Sequence, residues 1–185
     1  MRLKTLYLDV ETTGLHPVKD SIHQLALIVE IDGLIYAKHN IKMRPSNFSE
    51  LADDYVTSVG GITKQMMAGK DYVTQAAGYI QLKEILNTHV NRFDKTDKFH
   101  IAGYCCQSFD TAFLREFFNK NQDTFYGAYF YSATLDIMIL AANVLRYERH
   151  LLGNFKLETV CKHFGLTVAG EGFHDAMSDI ALELA

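Results

Sequence analysis

The sequence predicts an α/β domain built on a mixed five-stranded sheet flanked by helices. Three observations predict it. Near the N-terminus, Leu3–Val10, Ile22–Ile31 and Leu34–Met43 are apolar runs joined by short turns, the pattern of an antiparallel meander. From Ser49 onward the texture becomes helical, interrupted by two further strand-like runs, Phe99–Tyr104 and Tyr126–Thr134. A meander followed by strand–helix alternation gives one mixed sheet with helices packed on it.

Length and composition agree. The chain has 185 residues, 48% hydrophobic and 22% charged, enough for one packed core and ordinary for a soluble globular protein. One domain is expected over residues 1–185; because Ala185 falls inside a helical pattern, a domain truncated at its C-terminal end is expected. The Met1-Arg2-Leu3-Lys4 start lacks the shape of a signal peptide, and no apolar run is long enough to span a membrane. Three cysteines without Cys-x-x-Cys spacing argue for a reducing, cytoplasmic setting and against a disulfide framework or zinc site. A net charge of −4 argues against strong nonspecific binding of a nucleic-acid backbone through a broad basic surface, and leaves open a nucleic-acid enzyme that grips through metals and a local pocket.

Taken in order, Leu3–Val10 suits a strand buried on both faces. Pro17 and Asp20 punctuate the turn after it, Asp32-Gly33 turns the chain between the second and third strands, and Arg44-Pro45-Ser46 ends the meander. Ser49–Val56 reads as a short helix, and Thr63 caps another over Lys64–Ala68. Thr74–Phe93 carries the longest amphipathic pattern, with Ala77, Ile80, Ile85, Leu86 and Val90 inward. After the Phe99–Tyr104 strand, a helix from Ser108-Phe109-Asp110 to about Asn119 points Phe113, Leu114, Phe117 and Phe118 inward. Beyond the fifth strand, Leu135–Tyr147 reads as a helix that Asp136 caps or opens, followed by helices over Lys156–Phe164 and from about His174.

The candidate chemistry starts at the end of the first strand. Strand side chains alternate, so Asp9 and Glu11 point to one face, roughly 6–7 Å apart along the strand. Two like charges there repel, and a divalent cation turns that liability into a site, because hard cations take carboxylate oxygens. Thr12-Thr13-Gly14 ends the strand and lets backbone approach whatever the cation holds. Asp110 follows closely after a second strand. Asp179 projects from the last helix, with His174 just before its first turn. In mixed sheets, sites gather at the carboxyl ends of parallel strands, where Asp9, Glu11 and Asp110 fall.

Asp9-x-Glu11-Thr12-Thr13-Gly14, Phe109-Asp110-x-x-Phe113-Leu114 and His174-x-Ala176-x-x-Asp179 resemble, in order, the three motifs of the DEDDh 3′→5′ exonucleases, the DnaQ-like proofreading group that includes exonuclease I and ribonuclease T. The resemblance implies a ribonuclease H-like exonuclease fold and hydrolysis of single-stranded DNA from its 3′ end to nucleoside monophosphates. It implies two Mg²⁺ or Mn²⁺ ions held by Asp9, Glu11, Asp110 and Asp179, with His174 as general base. It implies contact with the substrate through Thr12, Thr13, Gly14, Leu15, Gly61, Ile62 and Phe109. A 3′ end of single-stranded nucleic acid is the implied partner, with a polymerase or another replication or repair protein beside it, and no membrane. Two rival readings are an exoribonuclease of the same family and an inactive nucleic-acid-binding module.

The chain departs from the family pattern twice. Gly103-Tyr104-Cys105-Cys106-Gln107-Ser108 precedes the second motif with the spacing of the exonuclease I branch, but Cys105 stands where Asn is usual. Val59-Gly60-Gly61-Ile62-Thr63 resembles a Val-His-Gly-Ile-Thr segment, with Gly60 in place of His. The remaining histidines show no ligand spacing, and Cys105 and Cys106 read as small packing residues rather than nucleophiles.

Overall fold

Strand β1 (Lys4–Thr12) forms the middle of the sheet, and its neighbours follow from the meander. The computed structural model describes residues 2–57, 61–166 and 176–184. β1 pairs antiparallel with β2 (Ile22–Ile31), which pairs antiparallel with β3 (Leu34–Met43). Asp32 and Gly33 turn the chain with φ of 52° and 80°, the left-handed geometry that Asp-Gly permits.

Six strands are present among the described residues rather than the expected five. β4 (Tyr72–Val73) adds parallel to β3, β5 (His100–Gly103) adds parallel to β1, and β6 (Leu135–Asp136) adds parallel to β5. The order is β4-β3-β2-β1-β5-β6. β4 and β6 are two residues each, too short for a period-two pattern to register.

The helices are α1 (Lys64–Met67), α2 (Gln75–His89), α3 (Asp110–Lys120), α4 (Tyr126–Tyr129), α5 (Ile137–Val144), α6 (Leu157–His163) and α7 (Ala176–Glu183). Thr63 and Thr74 cap α1 and α2 as expected, each side chain accepting a backbone N–H of the first turn. Gly78, Tyr79, Leu82, Ile85 and Leu86 form the buried face of α2; Ile80, expected inward, is exposed, and Ala77 is half-buried.

Two sequence expectations fail locally. Tyr126–Thr134 is not a strand. Its first residues make α4, because Tyr126, Tyr129 and Phe130 lie at helical spacing and close around Phe118, with ring centroids 5.4, 6.2 and 6.2 Å away. Ser49–Val56 is not a helix either; only a 3-10 turn forms, over Phe48–Glu50. Lys64 reaches back to the Leu51 carbonyl at 2.5 Å and the Asp53 carboxylate at 3.0 Å, drawing that stretch against α1.

Burial divides by strand parity. Leu6, Leu8 and Val10 join Leu25, Leu27 and Val29 in the main core, under α2, α3 and α4. The opposite face is covered by α7, whose Ala176 and Ile180 pack on Ala26 and Ile28 with Tyr7 alongside. No helix among the described residues is long and apolar enough to cross a membrane.

Candidate active site

The parity that sends Leu8 and Val10 into the main core sends Asp9 and Glu11 to the face that α7 covers. A register shift between Glu11 and Thr12 ends the regular pairing there, an irregularity that re-aims side chains where a strand leaves its ladder. α7 sits close because its contacts are small: Ala176 is fully buried on a surface that includes Ala26. Asp179, one position before the anchoring Ile180, thereby meets the strand acids. Carboxylate oxygens of Asp9, Glu11 and Asp179 all lie within 4.8 Å of one another.

Asp110 arrives from the other side of the sheet. It opens α3 and is buried, and its Oδ1 accepts the Val10 N–H at 3.0 Å. It lies outside the triple of converging oxygens, yet its charge is the leading electrostatic influence on Asp9. The loop that delivers it is held by Asp136. One Asp136 oxygen accepts the Cys105 N–H at 3.2 Å and the other the Gln107 N–H at 3.2 Å, while the first also caps α5 through Met138 at 3.1 Å. The capping role expected of Asp136 is present; its grip on the loop is additional. Gly103 is required where the loop begins, since a Cβ there would lie 2.7 Å from the Leu8 carbonyl oxygen. Cys105 has a φ of 64°, a left-handed conformation that Gly and Asn tolerate better than Cys.

A fifth carboxylate, missed in the sequence, faces the same place. Glu183 lies four residues after Asp179 on α7, hence on the same helix face. Its Oε1 accepts the Tyr104 N–H at 2.9 Å, and its Oε2 is buried without a hydrogen-bond partner. The available signal was the helical spacing from Asp179.

The electrostatics record the crowding of these acids. Asp9 is raised well above the carboxylate range by burial, then by Asp110, Glu183, Glu11 and Asp179. Burial pushes Asp110 up to about 7, opposed by the Val10 N–H and reinforced by Asp136. Glu183 is pushed up to about 8 by burial and by Asp110, Asp179 and Asp136, against the pull of the Tyr104 N–H. Tyr104 is held up at about 12 by burial, and its hydroxyl donates to the Phe155 carbonyl at 2.6 Å.

The other sequence candidates are distributed around this cluster. Thr12 Oγ1 donates to the Gly14 carbonyl at 2.7 Å, and Thr13 Oγ1 accepts the Ser21 N–H at 3.0 Å, so the turn after β1 is internally bonded. The Asp20 carboxylate packs where a Gly14 side chain would begin, 2.4 Å from an added Cβ. Leu15 is 74% exposed beyond that turn. Phe109, half-buried, tilts against Phe113 with ring centroids 5.0 Å apart, immediately before Asp110. Gly61 is exposed with a φ of 63°, and Ile62 pairs with Thr57. His174 and Gly60 lie outside the described residues.

Comparison with known proteins gives a family and a fold. A family model described as Exonuclease matches residues 6–185. A zinc-bound complex of E. coli ExoI with single-stranded DNA aligns at a TM-score of 0.74 and 24% identity, over 100% of this chain and 39% of that one. E. coli exonuclease I in complex with a 5cy-dT13 oligonucleotide aligns at 0.71 and 25%, again over 100% and 39%. A further exonuclease I structure, described for how processivity is achieved, aligns at 0.71 and 25%, over 98% and 39%. This chain therefore spans about two fifths of the length of those exonucleases. Comparison with curated proteins gives no match.

Proposed function

The chain belongs to the exonuclease family, and from that premise we propose that it hydrolyses single-stranded DNA stepwise from the 3′ end, releasing nucleoside monophosphates. The observation that carries the proposal is the convergence of Asp9, Glu11 and Asp179 within 4.8 Å beside the buried Asp110. The donors fit Mg²⁺ or Mn²⁺: all are carboxylate oxygens, and their raised pKa values mark a site in want of positive charge. In this reading Asp9, Glu11, Asp110 and Asp179 hold the ions. When bound, two divalent ions stabilise the attacking and leaving oxygens of a displacement at phosphorus.

The protein's own groups divide the remaining work. Asp110 is oriented by the Val10 N–H, which leaves its other oxygen for the site. His174 is assigned the removal of a proton from the attacking water, a task suited to a group that titrates near neutrality. Leu15 and Phe109 flank the terminal nucleotide, Leu15 by its exposed side chain and Phe109 beside the third acid. The Thr12–Gly14 turn and Gly61–Ile62 supply backbone to the substrate. Three free thiols fit a cytoplasmic setting, and proofreading or repair beside a polymerase is a setting in which such trimming serves.

The test uses 5′-labelled single-stranded DNA and RNA oligonucleotides with Mg²⁺ or Mn²⁺. Ladders of shortening DNA fragments, stopped by a blocked 3′ hydroxyl, are expected. Faster laddering of RNA makes the chain an exoribonuclease. Cuts within circular single strands, or binding without cleavage, overturn the proposal.

A further inference from the structure

We propose that Glu183 is a positioning residue of this site, clamping α7 to the end of β5 and so setting Asp179 against Asp9 and Glu11. The inference rests on the nuclease reading above.

The buried apolar residues of α7 are Ala176, Ile180 and Leu182, and Met177 and Leu184 pack beside the first two. Ala176 and Ile180 fix its height above β1 and β2, but apolar contact is non-directional and constrains roll and slide less than a hydrogen bond does. Roll matters, because a few degrees at the helix axis move the Asp179 carboxylate relative to the strand acids. Glu183 supplies the missing constraint. It sits one turn beyond Asp179 on the same face, and its Oε1 takes the Tyr104 N–H at 2.9 Å. That N–H lies just past β5, whose pairing with β1 covers only Thr5 to Tyr7, so the sheet offers it no acceptor. Tyr104 is itself held at its other end, where its hydroxyl meets the Phe155 carbonyl at 2.6 Å. The clamp therefore ties α7 to a main-chain point that is fixed twice.

Folding alone does not account for a carboxylate at this position. One oxygen gains a single hydrogen bond, while the other is buried without a partner among like charges. An apolar side chain would fill the same place without the buried acid, though it would leave the Tyr104 N–H unpaired. A group that burdens the metal-free fold while fixing a ligand-bearing helix acts on the ligand geometry.

The opposition between those two effects makes the role testable in the 185-residue chain. Mn²⁺ binding is followed by loss of the free-ion paramagnetic resonance signal, and the melting temperature is measured without metal. Glu183→Leu is expected to weaken Mn²⁺ binding about 10- to 100-fold, the usual effect of losing a group that orients a ligand. The same variant loses a buried acid but leaves the Tyr104 N–H unpaired, opposing effects that are expected to leave the metal-free melting temperature close to the parent's. Glu183→Met repeats both effects in another shape, and Glu183→Gln, which retains the acceptor for Tyr104, binds Mn²⁺ close to the parent. Mn²⁺ binding unchanged in Glu183→Leu, a Gln variant as weak as the Leu variant, or a melting temperature that falls with the affinity each overturns the inference while leaving the nuclease reading intact. A parent chain that binds no Mn²⁺ overturns both.

Discussion

Asp110 Oδ1 accepts the backbone N–H of Val10, the residue between Asp9 and Glu11, at 3.0 Å and across 100 positions of sequence. Pairing of β5 with β1 stops at Tyr7, so Val10 has no strand partner on that side. The third acid thus completes the ladder that the strand abandons, and in doing so is held beside the first two. One bond supports both the fold and the site.

Asp110→Asn and Asp110→Ala separate those roles. Asn keeps an acceptor for Val10 and removes a buried charge, so the metal-free melting temperature is expected to hold or rise while exonuclease turnover is lost. Ala leaves a buried N–H unsatisfied, at about 1–3 kcal/mol, and is expected to be the less stable of the two. Thermal melts of both, beside a labelled-oligonucleotide assay, check the ordering. An Asn variant that retains turnover argues against Asp110 as a metal ligand.

Metal and pH act on one quantity. Glu183 and Asp110 have folded pKa values of about 8 and about 7, above those of free carboxyls. The folded chain therefore holds protons that the unfolded chain has released, and ionising these groups destabilises the fold. Without metal, these groups make stability fall as pH rises from about 6.5 to about 8, a trend that the lowered pKa values of His23, His39 and His89 oppose only near its lower end. Saturating Mn²⁺ places positive charge among these carboxylates and should flatten that slope while raising the melting temperature. Melting curves at several pH values, with and without Mn²⁺, measure it; a slope of opposite sign, or indifference to millimolar Mn²⁺, counts against the site.

His23 gives the opposite dependence. It is 1% exposed on β2, neither ring nitrogen has a hydrogen-bond partner, and burial lowers its pKa to about 4. The unfolded chain takes up this proton near pH 6.5 and the folded chain only near 4, so stability is lost as pH falls through that window, by about 3 kcal/mol in full. His23→Leu removes both the titration and two unpartnered polar atoms. The variant is expected to be more stable at pH 7, and its advantage should widen at pH 5. Denaturant unfolding at the two values decides it, and equal advantages at both would show that His23 takes up its proton in the fold as readily as in the unfolded chain.

The site was more legible in the sequence than the fold's edges. Asp9 and Glu11 can be placed from period-two alternation, and Asp110 and Asp179 from motif order, because a cluster of acids needs a particular residue type at each position. β4 and β6 were invisible, since two residues carry no period. Tyr126–Thr134 misled because aromatic residues suit a strand by propensity, while their spacing around Phe118 suits a helical turn. Ile80 obeys a helical pattern yet faces solvent, because β3 meets α2 through Gly78 against Met43 instead. Glu183 reads as an ordinary helix acid until the end of β5 is brought beside it, a placement only tertiary packing makes.

His174 and Tyr104 offer the last test, because a base and a metal ligand fail differently. Tyr104 is the alternative proton acceptor near the acids, but its hydroxyl is committed to the Phe155 carbonyl and its pKa stands near 12. A group so protonated takes no proton from water at neutral pH. Tyr104→Phe keeps the backbone N–H that Glu183 uses and gives up only the second tie of that point, so its pH profile is expected to match the parent and its turnover to fall far less than that of a variant lacking the base. His174→Ala leaves all four carboxylates in place, so stabilisation by Mn²⁺ should survive. Its turnover is expected to drop about 10²–10⁴-fold, the range for losing a positioned base, with little change in KM. The acidic limb of the parent's rate profile should shift or vanish in that variant alone, since ionisation of the ligands is unaltered by the substitution. If His174→Ala retains turnover and profile, the base lies elsewhere; if its Mn²⁺ stabilisation disappears as well, the histidine belongs with the ligands.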